Sequence, residues 1–157
     1  MKTSPTRATL GFTLVELMVT VAVLAILMAL ATPSFREILA AQRVRATAYS
    51  IVSDLVLARS EAIKRGADVT LTPSAAQWAN GWSVKVASSA EVLSAQSSVG
   101  SGVVFVSSPA AITFDRNGRI NLESVVRFEL SDGSTRRRCI SLDPSGRPKS
   151  SNSECPA

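Results

Sequence analysis

The sequence predicts an α+β chain: a long N-terminal helix with antiparallel sheet packed over its C-terminal half. Three observations predict it. Residues 17–35 (LMVTVAVLAILMALATPSF) contain no charge and are long enough to cross a hydrocarbon core of about 30 Å. Beyond them Ile38, Val44, Ala48, Ile51, Leu55, Ala58 and Ala62 recur at three, four or six residues among charged positions, which gives a helix one apolar face. After Gly66 the period changes, and short runs of branched and aromatic residues alternate with turn residues.

The helix reads from Phe12 to Arg65. Gly66 supplies the stop, and Lys64 and Arg65 lie favourably at the negative helix end. Its first half wants lipid and its second half wants a protein core on one side. Strands follow at 68–72 (DVTLT), 82–87 (WSVKVA), 103–106, 111–115, 119–122, 125–130 and 137–142. Asn117-Gly118 and Asp132-Gly133 are hairpin signals. Within VVRFEL, Val126, Phe128 and Leu130 face one way and Arg127 and Glu129 the other, so one side is buried and one wet. Residues 88–102 read as a loop or irregular edge, and 72–81 as another loop.

Composition narrows the function. The 157 residues allow one small globular core once a leader and anchor are set aside. The formal charge of +5 includes Lys2 and Arg7, so removal of the first eleven residues leaves +3, a mild basicity carried mostly by arginine. No histidine is present, which removes Ser-His-Asp and Cys-His catalysis and the usual general base near neutral pH. The acidic residues are scattered, so neither a metal site nor a cofactor is expected, and no Ser-Lys pair is singled out by spacing. An enzyme is not expected. The two cysteines, Cys139 and Cys155, follow a membrane-spanning segment into an oxidising compartment and read as a disulfide across fifteen residues.

The first eleven residues carry two positive charges and no acid, which keeps that end cytoplasmic and exports the C-terminal domain. Residues 29–31 (ALA) offer the rival reading, an ordinary secretory signal cleaved after Ala31. Against it stand Glu16 and the amphipathic helix that runs straight out of the apolar segment. A carboxylate in a bilayer costs about 2.5 to 3.5 kcal/mol on insertion scales and asks for a partner. If the chain is cut after Gly11, the new amine of Phe12 lies one helical turn from Glu16 and can neutralise it, within the chain or between copies. Alternatively Glu16 complements the positive start of the helix, and both roles can coexist.

Gly11-Phe12-Thr13-Leu14-Val15-Glu16-Leu17, with the apolar run and Pro33 after it, resembles the class III signal of type IV pilins and type II secretion pseudopilins. The resemblance implies cleavage after Gly11 by the inner-membrane prepilin peptidase, methylation of Phe12, and contact of Glu16 with the Phe12 amine of an adjacent subunit. It also implies a kink or local melting of the helix at Pro33, where a backbone donor is missing. Residues 54–66 (DLVLARSEAIKRG), 80–82 (NGW), 114–119 (FDRNGR) and 145–149 (SGRPK) resemble the GspH/FimT group of minor pilins and pseudopilins. That implies the type IV pilin fold, a helix against two antiparallel sheets. The segments are then a leader at 1–11, a membrane and polymerisation half at 12–35, an amphipathic half at 36–66 and a periplasmic β-rich domain at 67–157. Partners implied are other pilins or pseudopilins, the peptidase and the inner membrane.

One candidate ligand patch remains. Arg136, Arg137 and Arg138 on one side and Arg147 and Lys149 on the other bracket the cysteine loop, so a disulfide is expected to draw the two basic clusters together. Clustered arginines bind a DNA backbone without sequence preference. Competence pilins of the group carry a C-terminal Gly-Arg-x-Arg motif for DNA; Gly146-Arg147-Pro148-Lys149 matches it except for the final lysine, which lacks the planar fork. The alternative is that these cations protect strand edges. Trp78 and Trp82 could stack bases, but Trp82 among branched residues reads as core.

Overall fold

The computed structural model describes residues 12–120, 124–134 and 136–156, without the side chains of 33 and 34. Two units are distinguished, Met1–Arg36 and Glu37–Ala157. Helix α1, Leu14–Arg65, contributes to both.

In the first unit the apolar side chains of α1 are all exposed, Leu14, Leu17, Val21, Leu24 and Met28 among them. A surface so apolar is not a water surface, and the segment is long and apolar enough to cross a membrane. Its polar side chains are satisfied locally. Thr20 Oγ1 donates to the Leu17 carbonyl at 2.8 Å and Thr32 Oγ1 to the Met28 carbonyl at 2.7 Å, so neither hydroxyl is left unpaired.

In the second unit α1 buries Val44, Ala48, Ile51, Leu55, Ala58 and Ala62. Six of the seven positions in the apolar pattern are therefore core. Ile38 is the exception, 53% exposed. The small Ala48, Ala58 and Ala62 leave room on this face for the large side chains of the sheets.

Two four-stranded antiparallel sheets supply those side chains. The first has the order β3-β2-β1-β5, from β1 (Val69–Pro73), β2 (Trp82–Val86), β3 (Val92–Gln96) and β5 (Ile112–Phe114). The second has the order β4-β6-β7-β8, from β4 (Val104–Ser107), β6 (Val126–Ser131), β7 (Arg137–Leu142) and β8 (Pro148–Ser151). Register puts Val69 opposite Val86 and Phe114, and Phe128 opposite Ile140, and all five are buried in one core with α1. The two-residue alternation expected for β6 holds: Val126, Phe128 and Leu130 are buried, and Arg127 and Glu129 are not.

Differences from the sequence reading are local. Residues 88–102 contain the edge strand β3, with a register shift against β2 at Val84/Lys85. Between β1 and β2 the chain forms two single-turn 3-10 helices, Ser74–Ala76 and Trp78–Asn80. Of the strand expected at 119–122, Ile120 bridges Phe114, and 121–122 lie outside the described residues. The connection at Asp132-Gly133 is five residues long, not two, because β6 and β7 pair from Ser131 and Arg137. Strand β8 was not expected at all.

Candidate assembly and anion-binding sites

At the start of α1, Thr13 caps the helix: its Oγ1 accepts the Glu16 backbone N–H at 3.2 Å, and its carbonyl accepts that of Leu17 at 3.1 Å. Glu16 therefore sits in the first turn, beside the positive end of the helix dipole. Phe12, at 73% exposure, immediately precedes the cap. The role of Thr13 was readable in the spacing Thr13-x-x-Glu16, a capping signature. Gly11 lies outside the described residues, and α1 includes position 33.

In the second unit Cys139 and Cys155 form a disulfide with a Cα–Cα distance of 4.9 Å. It does not draw the basic clusters together. Strand β7 pairs with β8 so that Leu142 faces Pro148, which places Arg147 in the turn beyond one end of β7 and Arg137 at the other. Six residues at about 3.3 Å each separate those ends by about 20 Å.

The arginine triple is itself divided by the period of the strand. Arg137 projects to the outer side, where it pairs with Glu129 and, at 3.2 Å, with Glu154. The Glu129 hydrogen bond chiefly holds its pKa above the ordinary arginine value. Arg138 turns to the other side and lies over the Tyr49 ring of α1, 5.5 Å from its centroid, in cation–π geometry. Of the three, Arg136 is exposed and Arg137 and Arg138 are half-buried. With Arg45, Asp132 and Glu154 they line a cleft of about 360 Å³ that mixes both signs of charge.

Arg147 and Lys149 are exposed, and neither forms an ion pair with a described residue. Arg147 lies in a turn ordered by Asp143, whose Oδ1 accepts from Ser145 Oγ and from the Arg147 backbone N–H at 3.3 Å. Those bonds hold the Asp143 carboxyl below its ordinary pKa.

Both tryptophans are core residues, and neither is available to stack a base. Trp78 and Trp82 are 3% and 1% exposed. Trp78 Nε1 donates to the Pro109 carbonyl at 2.6 Å, and Trp82 Nε1 to Asp54 Oδ2 at 2.7 Å. Their polar edges are thus satisfied inside the protein.

Sequence and structure comparisons agree with this architecture. The family described as Type II transport protein GspH matches residues 47–146, and the prokaryotic N-terminal methylation motif matches 6–32. No curated protein sequence matches. Among solved structures, the type IV minor pilin FimU of Pseudomonas aeruginosa PAO1 is similar in two crystal forms. The P21 form has a TM-score of 0.59 and 21% identity over 69% of this chain and 87% of FimU. The P65 form has a TM-score of 0.55 and 22% identity over 68% of this chain and 91% of FimU. At that identity the likeness establishes the fold, that of a type IV pilin. With the GspH match over most of its length and a methylation motif at its N-terminus, the chain belongs to the GspH family of pilin-like subunits.

Proposed function

We propose that the chain is a structural minor subunit, not an enzyme, of a type IV pilus-like filament. It is anchored in the inner membrane with its β-rich domain in the periplasm, and it helps to initiate or cap the filament. The observation that carries this reading is the conjunction at the start of α1: an entirely exposed apolar helix surface with one acid, Glu16, in its first turn. Lipid tolerates the apolar side chains but not a lone carboxylate. Prepilin peptidase cleaves after Gly11, the Phe12 amine is methylated, and Glu16 takes that amine from a neighbouring pilin as its counter-ion. The apolar helices associate by close packing, since hydrocarbon gives them no hydrophobic drive toward one another. Pro33 leaves the Ala29 carbonyl without its helical donor and lets the helix bend there on assembly.

Mass spectrometry of the mature chain tests processing: methyl-Phe12 is expected at the terminus, and a terminus at Thr32 returns the chain to an ordinary secreted protein. Incorporation of Glu16→Ala into filaments tests assembly, and incorporation equal to the native chain overturns the role of the acid. Export through a type II secretion pseudopilus is supported by the GspH family description and rests on the same helix. Loss of protein secretion without loss of pili in a deletion strain favours it.

A second reading, DNA contact during uptake, is favoured by the exposure of Arg147 and Lys149, neither of which forms an ion pair with a described residue. Arg136, Arg137 and Arg138 belong to this reading too, although Glu129 and Glu154 both pair with Arg137. Titration of labelled duplex DNA with the full chain in non-ionic detergent tests it. Unchanged affinity in Arg147→Ala/Lys149→Ala removes the C-terminal segment from the interface.

A further inference from the structure

Two segments of the chain share one pattern, Asp-x-x-Gly-Arg: Asp115-Arg116-Asn117-Gly118-Arg119 and Asp143-Pro144-Ser145-Gly146-Arg147. Each joins an antiparallel pair, Phe114 to Ile120 in the first and Leu142 to Pro148 in the second. The construction is also shared. In the first turn Asp115 Oδ1 accepts the backbone N–H of Asn117 at 2.8 Å and of Arg119 at 2.9 Å, while the Gly118 N–H donates to the Asp115 carbonyl at 2.8 Å. In the second, Asp143 Oδ1 accepts the Arg147 N–H, and the Gly146 N–H donates to the Asp143 carbonyl at 2.8 Å. Both glycines take positive φ, 72° and 76°.

The twin turns are packed on one another. The Ile120 N–H donates to the Pro144 carbonyl at 3.3 Å. A Cβ on Gly146 would collide with the Gly118 carbonyl oxygen, and it would lie 3.2 Å from Arg59 Nε. Arg59, from α1, donates that Nε to the same Gly118 carbonyl at 3.0 Å and clamps the pair. Each turn therefore delivers its final arginine one residue beyond the contact. Arg116, Arg119 and Arg147 are all exposed, and none forms an ion pair among the described residues. The nearby carboxylates offset this charge only in part: Asp115 and Asp143 stay ionised, with pKa values lowered chiefly by backbone and hydroxyl donors, but the four cations Arg116, Arg119, Arg147 and Lys149 outnumber these two acids.

We propose that the paired Asp-x-x-Gly-Arg turns form one phosphate-binding surface, in which Arg116 and Arg119 act with Arg147 and Lys149 on the backbone of a nucleic acid. The inference rests on the DNA reading above and relocates its centre from the arginine triple to the turns. Arginine is the cation suited to a phosphate diester, because its planar fork donates two parallel hydrogen bonds. Three arginines on two mutually braced turns hold those forks on a rigid support, which lowers the ordering cost of binding.

The test uses the full chain in non-ionic detergent and a fluorescein-labelled duplex of about 30 base pairs, titrated from low to moderate salt. Arg116→Ala/Arg119→Ala is expected to weaken binding about tenfold or more and to reduce the salt slope by about two. Arg43→Ala, an exposed position on α1 sixteen residues and about 24 Å from Arg59, lies outside the surface and is expected to leave both nearly unchanged. Arg116→Gln/Arg119→Gln repeats the measurement with the stems retained, and an unchanged thermal melt shows that the turns persist. Native affinity and slope in both double variants overturn the inference even if Arg147→Ala/Lys149→Ala loses binding, in which case the wider DNA reading survives. A native chain that binds no duplex overturns both. Equal competition by polyglutamate at matched charge also overturns it, since the surface then serves an acidic protein.

Discussion

Trp82 Nε1 donates to Asp54 Oδ2 at 2.7 Å inside the core, joining the first sheet to α1 through a polar bond with both residues buried. Removing the donor alone leaves a buried carboxylate oxygen unsatisfied. Trp82→Phe is therefore expected to destabilise the domain by about 1 to 3 kcal/mol from the lost partner, in addition to the lost indole packing. Asp54→Asn keeps a carbonyl acceptor and is expected to cost less. Denaturant unfolding followed by far-ultraviolet circular dichroism measures both, and equal destabilisation by the two variants contradicts the assignment.

The Cys139–Cys155 bond closes a loop of fifteen intervening residues. The chain-entropy relation gives about 3 kcal/mol for a loop of that size. Cys139→Ser/Cys155→Ser is expected to lose stability of this order, and reduction of the native protein is expected to lower its melting temperature similarly. An unchanged melt in both shows that β8 and the tail are held by pairing alone.

How far the sequence revealed the molecule depends on where period carries information. The buried stripe from Val44 to Ala62 was legible because a helix repeats it every three or four residues, and Ile38 was misassigned because the same period continues beyond the reach of the core. Strand β8 (PKSS) has no branched residue to announce it; its pairing with β7 imposes the extended conformation. The division of Arg137 from Arg138 follows from strand alternation and could have been read in advance. The meeting of 115–119 with 143–147 could not, since local pattern does not specify which turns touch.

Acid should loosen the domain in a defined direction. Asp115, Asp143 and Glu61 all have folded pKa values below the ordinary carboxylate values, chiefly through the Arg119 backbone donor, the Ser145 hydroxyl and the Arg65 guanidinium respectively. A depressed folded pKa means that the unfolded chain binds the proton more readily. The contribution is therefore complete above the ordinary values, near 3.8 for Asp and 4.5 for Glu, and is lost as pH falls through the folded ones. The melting temperature is expected to hold from pH 7 to about pH 5 and to decline steeply toward pH 3. Asp143→Asn should start lower at pH 7 and decline less. A parallel decline in the variant removes Asp143 from the effect.

Gly146→Ala gives the sharpest separation of geometry from charge. The position has φ of +76°, and a Cβ there meets the Gly118 carbonyl oxygen, the Phe114 ring at 3.1 Å and Arg59 Nε at 3.2 Å. An alanine must force the two Asp-x-x-Gly-Arg turns apart or shift its own backbone, and strain of this kind costs about 1 to 3 kcal/mol. Net charge is unchanged, so a loss of melting temperature by itself reports only the strain. Gly133→Ala is the matched control: its φ is +83°, it has nothing within 4 Å, and it lies in the β6–β7 connection remote from the twin turns. Both variants bear the positive-φ penalty, but only Gly146→Ala disturbs the contact. Gly146→Ala is therefore expected to be the less stable of the two, and at temperatures where both remain folded, only Gly146→Ala is expected to weaken duplex binding. If the two lose stability and affinity equally, the packing of 115–119 on 143–147 contributes nothing beyond backbone conformation, and the arginines act independently of their support.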